Sequence, residues 1–120
     1  MATKFSLERN GTIYENERLT ASVFGDAIRG FCKEEDDYII LIPERPLAHS
    51  SYLQVHSPGK DNDLMPVEIR FDYPGGSFKH YRYETEDRDE IYQIFADYWA
   101  KGRLPDLNKF NDVSSELYGG

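Results

Sequence analysis

Met65-Pro-Val-Glu-Ile-Arg-Phe-Asp-Tyr-Pro-Gly-Gly-Ser-Phe-Lys-His-Tyr-Arg-Tyr-Glu84 reads as one β-hairpin. Val67, Ile69 and Phe71 alternate with Glu68, Arg70 and Asp72, and beyond Pro74-Gly75-Gly76 the alternation resumes, Tyr81 and Tyr83 against His80, Arg82 and Glu84. That period of two belongs to strands with one buried face. Charge sets the register. A loop of Pro74 to Gly76 places Ile69 opposite Tyr81 and Val67 opposite Tyr83 on the buried side, with Glu68 facing Arg82 and Arg70 facing His80 on the other. A five-residue loop that shifts the pairing by two keeps the faces but opposes Arg70 to Arg82 and Glu68 to Glu84, like charges that repel. The shorter loop is therefore expected, with Gly76 at the positive-φ position that closes it.

Working outward, Ser51 to His56 is a strand with Leu53 and Val55 on one face and Tyr52, Gln54 and His56 on the other. Tyr38 to Ile42 is an unbroken apolar run, expected to be a central strand covered on both faces and ended by Pro43. Near the N-terminus, Phe5 and Leu7 alternate before Asn10-Gly11, a hairpin turn signal that leads into Thr12, Ile13 and Tyr14. Thr20 is placed to cap a helix with Leu19, Val23, Ala27, Ile28 and Phe31 near one face. Gly25 and Gly30 weaken that helix by roughly 1 kcal/mol each, so packing must hold it. After the hairpin, Thr85 or Asp87 caps a second helix with the stripe Ile91, Ile94, Phe95, Tyr98 and Trp99; acidic residues favour its start and Lys101 its end, and Gly102 suits the left-handed stop. The tail, with Leu104, Leu107, Phe110, Val113 and Leu117, is apolar enough to lie on the fold but has no clear period.

These elements make residues 1–120 one α+β domain: a single antiparallel sheet with two helices packed on one face. The opposite face then carries Glu68, Arg70, His80, Arg82 and Glu84 into solvent or onto a partner. At 120 residues the chain closes one core without metal or disulfides. A net charge of -8 argues against nucleic acid as partner, because phosphate neutralisation needs an excess of Lys and Arg. A lone Cys32 fits a reducing compartment, and neither a secretory leader nor a membrane span is evident, so a cytoplasmic location is expected.

Chemistry-bearing motifs are sparse. His49, His56 and His80 lie on a loop and two strands without metal-ligand spacing, and His80 is expected on the surface beside Arg70 and Arg82. Cys32 reads as a packed thiol. No phosphate loop, nucleophile elbow or carboxylate pair is present, so no catalytic residue, cofactor or metal is assigned. Glu34-Glu35-Asp36-Asp37 is an acidic loop, either a solvated connection or part of a partner-facing patch; it lacks the spacing of a calcium loop.

Tyr38-Ile-Ile-Leu41, Ser51-Tyr-Leu-Gln-Val55, Val67-Glu-Ile-Arg70 and His80-Tyr-Arg82, followed by an acidic-capped helix and the tail Pro105-Asp-Leu107, together resemble small bacterial immunity proteins over residues 38–112. Such proteins are single α+β domains that bind and neutralise a cognate toxin domain. The resemblance implies a non-enzymatic cytoplasmic inhibitor whose acidic patches meet a basic toxin such as a nuclease. Partner-binding candidates are Glu34, Glu35, Asp36, Asp37, Glu68, Arg70, His80, Arg82 and Glu84. The alternative is a small-ligand enzyme or sensor with a pocket near Tyr52, Gln54, His56 and His80. A homodimer joined through the sheet is a third possibility.

Overall fold

The computed structural model describes residues 4–118. Its strands are β1 (Phe5–Arg9), β2 (Thr12–Tyr14), β3 (Tyr38–Pro43), β4 (Ser50–His56), β5 (Met65–Asp72), β6 (Phe78–Thr85) and β7 (Asn111–Asp112), and its helices are α1 (Ala21–Gly30), α2 (Arg88–Lys101) and the short α3 (Ser114–Tyr118). Every pairing is antiparallel, in the order β2-β1-β3-β4-β5-β6-β7.

The central hairpin has the register that charge selects: Val67 opposite Tyr83, Glu68 opposite Arg82, Ile69 opposite Tyr81 and Arg70 opposite His80. Tyr73 N donates to Ser77 O at 2.9 Å and Gly76 N to Tyr73 O at 3.3 Å, which closes the loop at Pro74–Gly76. Gly75 and Gly76 have φ of 94° and 91°, values at which a side chain costs about 1–2 kcal/mol.

Both long helices lie on one face of the sheet. Beneath them Phe5, Leu7, Ile39, Leu41, Leu53, Val55, Met65, Val67, Ile69 and Phe71 are buried, with Phe24, Ala27 and Ile28 of α1 and Ile91, Phe95 and Tyr98 of α2 above. Tyr81 and Tyr83 point to the same side, half-buried. The α1 stripe keeps its expected members Leu19, Ala27, Ile28 and Phe31 buried but differs at two positions: Phe24 is fully buried, whereas Val23 is only half-buried at the margin. Thr20 stands at the N-cap, but its hydroxyl bonds Ser22 Oγ at 3.0 Å and no helix N–H. Gly25 earns its place by close approach, since a Cβ there would meet Tyr92 Cε1 at 3.1 Å. Arg88 joins the helices by donating to the carbonyls of Ile28 and, at 2.7 Å, of Phe31. Asp87, rather than Thr85, caps α2, accepting from Glu90 N at 3.1 Å, and Gly102 ends it at φ 61°.

One further expectation is corrected. β3 lies between β1 and β4, yet only one of its faces is covered: Ile39 and Leu41 are buried, Ile40 is half-buried and Ile42 is 38% exposed. An unbroken β-branched run does not reveal that the second face lacks a roof. The tail, in turn, is ordered against β6. β7 pairs with Tyr81 and Arg82, Phe110 packs on the Tyr83 ring at 5.4 Å, and Val113 N donates to His80 O at 2.8 Å.

Candidate functional site

The face opposite α1 and α2 is the candidate site, and pleating determines what stands on it. One continuous row crosses all seven strands: Ile13, Glu8, Ile40, Gln54, Glu68, Arg82, Asn111. Beside it run Ser6 with Ile42 toward one end and Tyr38 with His56 toward the other, while Tyr52, Arg70 and His80 form a row on β4–β6. The face divides in two.

Over β5–β6 the face is closed by an ionic network. Glu68 meets His80 Nε2 at 2.5 Å and Arg82 Nε at 3.3 Å, and Arg82 Nη1 continues to Glu116 of α3 at 3.4 Å. His80 is 2% exposed rather than on the surface. The tail explains the difference: besides the Val113 bond, Ser114 Oγ accepts from His80 N at 2.9 Å, so β7 and α3 lie along the strand that carries the ring. His80 Nε2 is engaged by Glu68, and the other ring nitrogen, Nδ1, is buried without a partner among the described residues. Burial alone would push the Glu68 carboxyl up, but the hydrogen bond from His80 and the charge of Arg82 outweigh it and hold the carboxyl below its usual range. Arg70 stands apart, its Nε 3.1 Å from Asp72 and its guanidinium 4.2 Å above the Phe78 ring. Glu84 is exposed opposite Pro66.

Over β2, β1 and β3 the face is open and partly apolar. Ile13 is 62% exposed and Ile42 38%. Glu8, in the row between Ile13 and Ile40, accepts from the Tyr38 hydroxyl, a bond that favours the neutral phenol and raises its pKa. The acidic loop adjoins this half. Asn10 of the β1–β2 turn donates to Asp37 Oδ1 at 2.8 Å and accepts from Tyr38 N at 2.8 Å. Ser57 holds the loop from the other side, donating to Glu35 O at 2.7 Å and, through its backbone, to Asp37 O at 2.8 Å. Glu34, Glu35 and Asp36 are left exposed, while Asp37 is half-buried and structural.

The nine predicted partner residues therefore separate into the network of Glu68, His80 and Arg82, the pair Arg70–Asp72, isolated Glu84, and the loop Glu34–Asp37 beside a different part of the sheet. Ile13, Ile42 and the anchors Asn10 and Ser57 escaped sequence reading. Asn-Gly signals only a turn, and an exposed isoleucine looks like a core one until the covering layer is known. The expected pocket is spread over separate rows: His56 packs on Tyr38 at 5.7 Å, Gln54 stands across from Glu68, and His80 packs on Tyr52 at 6.1 Å with Nε2 engaged. His49 is elsewhere, against Tyr73 at 5.1 Å.

On the helix side, a groove of about 380 Å³ between α2 and the tail includes Tyr83, Glu90, Ile94, Leu104 and Phe110 in its lining. Glu90 is already engaged there by the Tyr83 hydroxyl at 2.9 Å, Thr85 at 3.1 Å and Lys109 at 3.4 Å. Among the described residues no cluster of three or more His, Cys, Asp and Glu is arranged to hold a metal, and no helix is long and apolar enough to cross a membrane. Comparison with protein-family models, curated proteins and solved structures returns no match.

Proposed function

We propose that this chain is a non-enzymatic protein-binding domain, in its most economical form an immunity-type inhibitor of a basic toxin domain acting in the bacterial cytoplasm. One observation carries the reading: a broad sheet has its two long helices on one face, and the β2–β1–β3 part of the other face keeps exposed isoleucines beside a loop of free carboxylates. Apolar side chains on a rigid sheet bind a macromolecule with little ordering cost, and a charged surround steers the encounter. The net charge of -8 makes a basic partner the complementary one.

The experiment is a titration of purified basic nuclease toxin domains with this protein, following nuclease activity. Inhibition of one member should be complete at a stoichiometric ratio, with association slowing as salt rises. Absence of inhibition across the panel, or loss of toxin activity at catalytic amounts of this protein, contradicts the proposal.

A further inference from the structure

The open face is not uniform, and its two ends carry the more specific information. Along β3 it runs from Tyr38, beside the acidic loop, to Ile42 and Pro43. At the far end a groove of about 350 Å³ opens beside Ile42, its lining including Ser6, Glu15, Glu17 and Glu44, with Lys4 as the one base among the described residues. Arg18 and Arg45 are exposed in the adjoining segments but do not line it. A strip of Ile13, Ile40 and Ile42, crossed between Ile13 and Ile40 by Glu8 in its bond to Tyr38, therefore has carboxylates at both ends, Glu34, Glu35 and Asp36 beside Lys33 and Lys60 at one and Glu15, Glu17 and Glu44 at the other. Tyr38 to Glu44 covers roughly 20 Å of extended chain.

We infer that the β2–β1–β3 strip, rather than the Glu68–His80–Arg82 network, receives the partner, and that it fits a protein surface with a small apolar centre between two groups of Lys or Arg about 20 Å apart. The inference rests on the protein-binding reading above and narrows it. The network half is disfavoured because its charged groups are already paired: Glu68 is shared by His80 and Arg82, and Arg82 also meets Glu116. A partner would have to break those pairs to use them. A second copy of this chain is disfavoured by symmetry of charge. Because both ends of the strip are acidic, either orientation of a copy sets carboxylate against carboxylate.

The test uses the whole protein, isotope-labelled, and a short synthetic peptide with paired lysines at both ends and alternating valine and threonine between them. Amide shifts should move at Ile13, Ile40 to Ile42, Glu44 and Glu34 to Asp37, and return as salt rises. Ile13→Lys with Ile42→Lys should weaken binding about tenfold or more. Both side chains are exposed, so the double variant should keep the wild-type melting temperature. Glu15→Lys with Glu44→Lys, which spares the strip, should also weaken binding, whereas Glu116→Gln should not. Equal binding by a peptide with glutamate for lysine, shifts confined to β5–β6 or to the α2–tail groove, or no shifts at all would overturn the inference. So would a dimer of the free protein that Ile42→Lys dissolves. A toxin domain inhibited equally well by the Ile13→Lys, Ile42→Lys variant would leave the proposed function standing and remove this narrower inference.

Discussion

Ala48 and His49 form a two-residue turn between Leu47 and Ser50, which exchange backbone hydrogen bonds at 3.0 and 2.8 Å. Their φ values are 47° and 76°, a left-handed pair without glycine. Ala48→Gly should stabilise the fold by about 1 kcal/mol, read from the urea midpoint at constant slope; a loss of stability would show the turn is not strained. Tyr98 bears on alkaline stability. Its ring is buried and its hydroxyl lies 2.9 Å from Ser50 Oγ, and burial pushes the phenol up to about 12. A pKa raised on folding contributes stability that is intact below the unfolded value near 10 and lost as pH climbs toward 12, about 2–3 kcal/mol in all. Tyr98→Phe should flatten that decline. Glu68 has the opposite sign: its lowered pKa stabilises above the unfolded carboxylate value and is lost as pH falls through the folded one. Glu68→Gln should lower neutral stability by about 1–3 kcal/mol and show a weaker acid decline than wild type; identical acid limbs would mean that Glu68 does not drive it.

Among the elements, α2 was the most legible because each of its signals is local: an Asp cap, acids at the start, Lys101 and Gly102 at the end. Its outer residues were less so. Trp99 is half-buried, edge-on to Phe24 at 5.6 Å, while Phe95 is fully buried. Phe95→Ala should therefore cost about 3–5 kcal/mol and Trp99→Ala about 1–3, an order that chemical denaturation resolves. Arg88→Met tests the tie between helices. It keeps an apolar stem and removes the donors to the α1 carbonyls, so about 1–3 kcal/mol should be lost. The central hairpin was legible down to its register because opposed charges leave one pairing free of repulsion. The tail was not, since a two-residue strand and a short helix carry too few residues for a period to emerge. That gap also hid the burial of His80, whose surroundings come from residues some thirty positions downstream.

At the scale of the whole molecule, the one-sided packing of the sheet was readable and the partition of its free face was not. Alternation tells which side chains share a face, but not whether a distant segment folds over part of it. The acidic loop acts at this scale through its field. Glu34→Lys, Glu35→Lys and Asp36→Lys together, with Asp37 retained as the Asn10 partner, should slow association with a basic toxin domain while leaving the melting temperature within a few degrees of wild type. Rates that do not change would remove the loop from the encounter. The most direct measurement is amide hydrogen exchange on this protein with and without a basic toxin domain that it inhibits. New protection should fall on the β1–β2 turn and on Tyr38 to Ile42 and Glu44, with the outer surface of α2 unchanged. Protection confined to α2 and the tail groove, with Tyr38 to Ile42 and Glu44 exchanging as in the free protein, would contradict the account.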